Sequence, residues 1–368
     1  MINVSFLSGT RADYGKIKPY VEYLLQKGGV RIHLFLTGMQ VQDKYGNTAT
    51  EIEVDFGNLC HIVKDSLYES TTADETAHII KSYSNHLVAE KIDFVFIHGD
   101  RSEAMAGALA AVLNNVPVCH IEAGDLSGSI DDSLRHAISK LSHRFFVADE
   151  RAKNLLIQMG EEEANIHIVG TSSLANMPIE NASDIPVMTD NYGILVYHPT
   201  TTLSAKVIQD EITQIMRILA QDNRSYIVIL PNNDLNHQVI LDAYEPYRDS
   251  PNFQFFKSLP FGAFQQLLKG ADVLIGNSSC GVKEAPFLGT NVIDVGIRQQ
   301  NRYTHLDLPS FRHLDDVNAL PTVLSDLSGS FERISQEQYR RQLFQTLDKI
   351  ITDDFWKPVL QKKFVFLP

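Results

Sequence analysis

Asp100, Glu122 and Asp131 are three acidic residues that follow closely behind apolar runs, in "HGDRSEA" (98–104) and "HIEAGDLSGSIDDSLRH" (120–136). The runs "DFVFIH" (93–98) and "PVCHI" (117–121) have the length and composition of buried strands. Asp100 and Glu122 therefore stand at neighbouring strand ends, while Asp131 and Arg135 follow a Gly/Ser loop and lie one helical turn apart. Close like charges push one carboxyl pKa upward and leave another ionised, which suits removal of a proton by one group and its delivery by another. Each acid alone also reads as a helix cap or a surface ion pair. All three with His98 argue for acid–base chemistry.

Other residues suit a phosphate. Arg11 and Lys16 in "SGTRADYGK", Arg101, and Arg298 in "VGIRQQNR" all follow strand-like runs, and arginine binds phosphate oxygens in a planar, bidentate way. "IGNSSCGVKEAPFLG" (275–289) reads as a strand end, a turn and a helix. Ser278 and Ser279 could present hydroxyls and free backbone N–H groups to an anion or simply cap that helix, and Glu284 could face a ribose diol or solvent. His198 in "YHPTT" closes another strand. The formal charge of −13 excludes a general nucleic-acid binder but not a small anionic ligand. Neither G-x-G-x-x-G nor G-x-x-x-x-G-K-[ST] occurs, which disfavours a dehydrogenase and a P-loop NTPase. "HIE" without any C-x-x-C is no deaminase motif. His98, His120, His136 and His143 lack H-E-x-x-H spacing and read as structural rather than metal-binding. Three scattered cysteines, Cys60, Cys119 and Cys280, read as reduced thiols.

Short β-branched or aromatic runs alternate with amphipathic ones, the pattern of an α/β protein with parallel sheets. Strands are predicted at 3–8, 32–37, 93–98, 117–121, 144–148 and 166–170, then at 192–198, 225–230, 253–257, 272–276 and 291–295. Helices are predicted at 14–27, 73–90, 102–114, 131–142 and 150–159, then at 204–221, 260–270 and 279–288. The aperiodic "TSSLANMPIENASDIPVMTDN" (171–191) reads as a linker, and 334–363 as two charged amphipathic helices. A chain of 368 residues with 44% apolar content is large enough for two cores. Apolar runs too short for a membrane span and a first segment unlike a signal peptide lead us to expect a cytoplasmic protein. In open parallel sheets ligands bind beyond the carboxyl ends of the strands, which is where these Gly, His, Arg and acidic residues collect.

In order and spacing, "GTRADYGK", "LTGM" followed by "YGNT", "HGDRSEA", "HIEAGDLSGSIDDSLRHAISKLSH", "QMGE", "YHPTT", "PNND" and "GNSSCGVKEAPFLGTNVIDVGIRQ" closely resemble the hydrolysing UDP-N-acetylglucosamine 2-epimerases of bacterial sialic-acid synthesis. The resemblance runs from the first strand to about residue 305. It implies the glycosyltransferase-B architecture: a Rossmann-like domain over 1–176 with the sugar site and acid–base carboxylates, joined by a C-terminal helix over 352–368, and a UDP-binding Rossmann-like domain over 177–351 across a cleft. It implies conversion of UDP-N-acetylglucosamine and water to N-acetylmannosamine and UDP, with no cofactor and no metal. Arg11, Arg101, Asn232, Ser278, Ser279, Glu284 and Arg298 would hold UDP, with His198 near the diphosphate. Asp100, Glu122 and Asp131 match the family's acid–base carboxylates, and Arg135 a supporting residue; with Lys16 it completes the expected substrate-binding set. The resemblance also implies a homo-oligomer, dimer or tetramer, with the helices of the first domain as our expected interface, and no nucleic-acid or membrane partner. Two segments depart from the family pattern: "TSSLANMP" stands where a Ser-Pro-Asp segment is usual, and "HIEAG" where a Gly-Gly pair is common. Both bear on the sugar, and a sister group acts on UDP-2,4-diacetamido-2,4,6-trideoxyglucose for legionaminic acid. A glycosyltransferase on the same fold is the more distant alternative. A catalytically silent nucleotide-sugar sensor is disfavoured by the presence of Asp100, Glu122, Asp131 and His198.

Overall fold

A computed structural model describes residues 1–63, 71–127, 130–176, 191–300, 309–327, 336–357, 360–363 and 365. The first unit begins with β1 (Ile2–Ser8), α1 (Arg11–Lys27), β2 (Val30–Leu36), α2 (Ala49–Phe56), β3 (Cys60–Ile62), α3 (Thr72–Ala89) and β4 (Phe94–His98). It continues with α4 (Ser102–Leu113), β5 (Val118–Ile121), α5 (Asp131–Leu141), β6 (Arg144–Val147), α6 (Glu150–Gln158) and β7 (Ile166–Ile168). These make one seven-stranded sheet in the order β3-β2-β1-β4-β5-β6-β7, and every pairing is parallel. Helices cover both faces of such a sheet, so its central strands read as continuous apolar runs. β4, "FVFIH", is buried at every position.

The second unit repeats the plan with β8 (Tyr192–Val196), α7 (Ala205–Leu219), β9 (Ser225–Ile229), α8 (His237–Tyr244), β10 (Phe253–Phe256), α9 (Phe261–Gly270), β11 (Val273–Gly276), α10 (Cys280–Lys283), β12 (Asn291–Val295) and β13 (Phe311–Leu314). Its six-stranded parallel sheet runs β10-β9-β8-β11-β12-β13. Both orders are doubly wound: the chain builds outward from its first strand, then returns to that strand's other side. The reversal splays the loops after β1 and β4, and after β8 and β11, and leaves a crevice for side chains at each point.

The alternation of elements is as the sequence predicts, with differences at the edges. β3, "CHI", and β13, "FRHL", are short edge strands whose His, Arg and Cys residues hide their β character. α2 and α8 are eight-residue helices and were not predicted. The expected helix over 279–288 is two pieces: α10 stops at Lys283 and a 3₁₀ turn covers Ala285–Leu288. Pro286 accounts for the break, because it has no N–H and its ring clashes with the carbonyl four residues back. Of the predicted linker, Ser172–Asn176 form a 3₁₀ turn and 177–190 lie outside the described residues.

The domain boundary at 351 needs correction. The chain rejoins the first unit at Gln336, and among the described residues one helix, Gln336–Ile350, stands where two were expected. Its Leu343 and Leu347, with Ile351 and Phe355 beyond it, are buried in the core formed by β1, α1 and β4. Tyr23 donates to Asp348 Oδ1 at 2.8 Å, and Lys27 Nζ to the Ile351 carbonyl at 2.8 Å. Trp356, the only tryptophan, packs edge-on against Phe94 with centroids 5.3 Å apart. Its fluorescence therefore reports on this unit. Leu347→Ala is expected to lower first-unit stability by about 2–4 kcal/mol, read as a lower urea midpoint in Trp356 fluorescence. An unchanged midpoint would contradict the docking of this helix.

Candidate active site

In the first unit, α1 starts directly after β1 with a reciprocal cap: the Thr10 hydroxyl accepts from Asp13 N–H, and Asp13 accepts from Thr10 N–H. Asp13 Oδ2 also accepts from Gly9 N–H at 3.0 Å. The other oxygen, Oδ1, reaches across the reversal point to His98 Nδ1 at 2.8 Å. Beyond the ring, His98 Nε2 lies 3.5 Å from Glu122 Oε2, longer than a hydrogen bond but close enough for strong attraction between charges. Glu122 takes Lys16 Nζ at 2.9 and 3.1 Å. All four side chains are buried. Burial alone would raise the Asp13 pKa, yet the bond to His98 and the N–H groups of Gly9 and Thr10 outweigh it and hold the carboxyl below its usual range. For His98 burial disfavours the cation, but Asp13 and Glu122 outweigh it and raise the imidazole pKa. Glu122 sits at φ +59°, a left-handed conformation uncommon outside glycine.

Asp100 follows β4 on the adjoining strand end and is bound by Arg135 Nη2. The guanidinium is buried and also donates to Asp132 Oδ1 at 2.6 Å and the Asp125 carbonyl at 2.9 Å. It thus ties the end of β4, the loop after β5 and α5 together. Asp131 is the first residue of α5, one turn from Arg135. His120 braces the same corner. Its Nε2 donates to the Gly99 carbonyl at 2.7 Å, and its Nδ1 lies 2.9 Å from Ser139 Oγ. Gly99, immediately before Asp100, turns at φ +78°, which favours glycine. Burial pushes the His120 pKa down to about 3, so the ring is neutral and Nε2 carries its proton. Arg11 is the half-buried first residue of α1. Arg101 stands at the N-cap position of α4, its Nε 3.4 Å from Glu103 Oε2.

The second unit fills its reversal point with a neutral group. Asn277, after β11 and almost fully buried, accepts the His198 N–H at 2.8 Å on its side-chain oxygen and donates to the His198 carbonyl at 2.8 Å. The Asn277 carbonyl takes Arg298 Nη1 at 3.1 Å and Gln299 Nε2 at 2.9 Å. Gly276 makes this approach possible: with φ at +131°, a Cβ there would stand 2.1 Å from the Val196 carbonyl oxygen. His198 Nδ1 accepts from Asn232 N–H at 3.2 Å, which leaves the proton of a neutral ring on Nε2. Ser278 and Ser279 follow Asn277, and Glu284, buried, accepts from Gln265 Nε2 at 2.8 Å. Since α10 has four residues, its dipole is small, and an anion here would rely on the local N–H groups and hydroxyls. Among the described residues no group of three or more His, Cys, Asp or Glu is arranged to hold a metal ion, and no helix is long and apolar enough to cross a membrane.

The family model for UDP-N-acetylglucosamine 2-epimerases matches residues 23–310. The chain belongs to that family. It is 34% identical to a UDP-N-acetylglucosamine 2-epimerase of Neisseria meningitidis over 100% of both chains. It is also 34% identical to a hydrolysing UDP-N,N'-diacetylbacillosamine 2-epimerase of Legionella pneumophila, covering 81% of this chain and 82% of that one. The solved UDP-GlcNAc 2-epimerase of Methanocaldococcus jannaschii in complex with UDP-GlcNAc and UDP superposes with a TM-score of 0.76 at 18% identity, over 95% of this chain and 100% of that one. The pair of Rossmann-like domains, the glycosyltransferase-B type expected from the sequence, is the fold of this epimerase family.

The structure joins Lys16 to Glu122 and Arg135 to Asp100, and it links His198, Asn232 and Arg298 through the Asn277 strand end. Asp13, His120, Asn277 and Gln299 went unpredicted as contributors. Asp13 carried a signal in the T-x-x-D cap, whereas Asn277 was hidden within "GNSS" between the two serines. A neutral His120 gives a test. Unfolded, it takes a proton near its ordinary 6.5; folded, only near 3. Its contribution is therefore complete above pH 6.5 and lost as pH falls toward 3. His120→Gln is expected to have a lower urea midpoint than wild type at pH 7.5, with the gap narrowing by pH 4.5. A constant gap would contradict a neutral His120.

Proposed function

We propose that this epimerase-family chain is a hydrolysing UDP-N-acetylglucosamine 2-epimerase, turning UDP-N-acetylglucosamine and water into N-acetylmannosamine and UDP. The observation that carries the reading is the pair of carboxylates, Asp100 and Glu122, held at adjacent strand ends by Arg135 and Lys16, with Asp131 on the helix that bears Arg135. Epimerisation at C2 requires a C–H bond to break and re-form on the opposite face. In the first half-reaction one carboxylate takes the C2 proton, the electron pair forms the C1–C2 double bond, and UDP leaves from C1. In the second, a carboxylate takes a proton from water as its oxygen bonds to C1, and a carboxyl group returns a proton to C2 from the other face. The departing diphosphate needs donors already in place. Arg298, His198, Ser278 and Ser279 in the second unit and Arg11 and Arg101 in the first are the groups we assign to it, with Asn232 and Glu284 on the nucleoside.

Release of UDP into water is favoured by the Legionella relative, whose name specifies hydrolysis. N-acetylglucosamine is favoured over the diacetamido sugar because the match to the Neisseria enzyme runs the full length of both chains. The diacetamido substrate remains the second reading, supported by equal identity to the Legionella enzyme. A cytoplasmic homo-oligomer using neither metal nor cofactor completes the proposal.

Proton NMR in D₂O with each sugar nucleotide tests it. Free UDP with an unattached manno-configured sugar carrying deuterium at C2 is the expected result, faster from UDP-N-acetylglucosamine. A UDP-linked product would exclude the hydrolysing reaction, and no turnover of either substrate would exclude the epimerase. Asp100→Asn, Glu122→Gln and Asp131→Asn are each expected to lower kcat by about 10²–10⁴-fold, measured as UDP release.

A further inference from the structure

His98 occupies a position that the reaction just described does not use. Its ring is buried at the end of β4 between two carboxylates from different elements, with Nδ1 2.8 Å from Asp13 Oδ1 and Nε2 3.5 Å from Glu122 Oε2. Ionised carboxylates only accept, so a ring serving two of them has to offer a proton from both nitrogens. A neutral ring would aim a lone pair at one of the two. With Lys16 on the far side of Glu122, the row runs Asp13, His98, Glu122, Lys16 in alternating sign. This is the arrangement in which four buried charges compensate one another.

The outer end of the row is anchored. Asp13 Oδ2 accepts from Gly9 N–H at 3.0 Å, Thr10 N–H at 2.8 Å and the Thr10 hydroxyl at 3.1 Å, so Oδ1 cannot turn away from His98 without breaking the cap of α1. The inner end is also constrained. Glu122 stands at φ +59°, and its neighbours are fixed by Gly99 N–H to the Ile121 carbonyl at 3.0 Å and Ala123 N–H to the Phe146 carbonyl at 3.3 Å. A backbone held in an uncommon conformation with its side chain caught between two cations indicates a carboxylate aimed for use.

We propose that Asp13 and His98 are a positioning pair, which holds Glu122 ionised and directed into the strand-end site as the acceptor of the sugar C2 proton. The pair acts only through Glu122, and the proposal rests on the epimerase reading above. Among the described residues, the charged and titratable groups around His98 include Asp13 and Lys16 from α1, Glu122 from the turn after β5, and His120 from β5, which stays neutral. Loss of the imidazolium removes one of the two cations beside Glu122 and makes its protonated form easier to reach.

The test uses wild type, His98→Gln and Asp13→Asn in the full chain, with steady-state UDP release from pH 5 to 9 and long-range proton–nitrogen spectra of the histidine rings. Wild-type His98 is expected to carry protons on both nitrogens at pH 7.5. His98→Gln should lower kcat by about 10–100-fold, leave KM within about threefold, and move the acid limb of the kcat profile up by about one pH unit. Asp13→Asn should change kcat and the limb in the same directions by less, while keeping the shape of the cap. A neutral wild-type His98, or variants that lose kcat with an unmoved acid limb, would overturn the proposal while wild-type turnover still upheld the epimerase. Failure of wild type on both sugar nucleotides would end the epimerase reading itself, and the catalytic role given to this pair with it.

Discussion

Buried charges must cancel one another, and the first unit is organised around one such cancellation. The bond from Asp13 to His98 spans the point where the sheet order reverses, between the loops after β1 and β4. No backbone ladder ties those loops together, so side chains have to do it. With Glu122 and Lys16 added, two carboxylates face the Lys16 ammonium and a ring whose pKa Asp13 and Glu122 raise against burial. Removal of any member leaves an uncompensated charge in a low-dielectric site, which costs far more than the loss of an exposed ion pair. The cap of α1 fixes Asp13 at one end of this row, and Lys16 holds Glu122 at the other. Arg135 meets the same requirement a second time, holding Asp100, Asp132 and a carbonyl with one buried guanidinium.

The second unit shares the topology and resolves the same crevice with a neutral amide. Asn277 bonds both backbone groups of His198 and offers its own carbonyl to Arg298 and Gln299. The amide keeps the strand ends together, and the Asn277 carbonyl holds the Arg298 guanidinium without adding negative charge. The contrast suits the proposed division of labour, with proton transfer at carboxylates in one unit and an anionic leaving group received in the other.

Much of the fold was legible because central parallel strands are buried on both faces and read as apolar runs. "FVFIH" and "YGILV" could hardly be anything else. Of the four edge strands, β7 and β10 were found, whereas β3 and β13, short and carrying Cys, His or Arg in place of apolar residues, were missed. The docking of Leu343 and Leu347 on the first core was missed because a helix's partner is not encoded in its own periodicity. At the site, the strand-end rule located the acids, the arginines and His198. It could not show what each one touches. Lys16 and Glu122 are paired across 106 residues, and His98 reads as a structural histidine until Asp13 and Glu122 are seen on either side of its ring.

The central claim is that these strand-end carboxylates break and re-form a C–H bond at the sugar's C2. Turnover of UDP-N-acetylglucosamine deuterated at C2, in ordinary water, with mass spectrometry of the released sugar, tests it most directly. The account predicts that wild-type product has lost the label to solvent and that Glu122→Gln, still able to bind UDP, releases unlabelled sugar about 10²–10⁴-fold more slowly. Product that retains deuterium at C2 would mean that UDP departs without C–H cleavage, and would contradict the account.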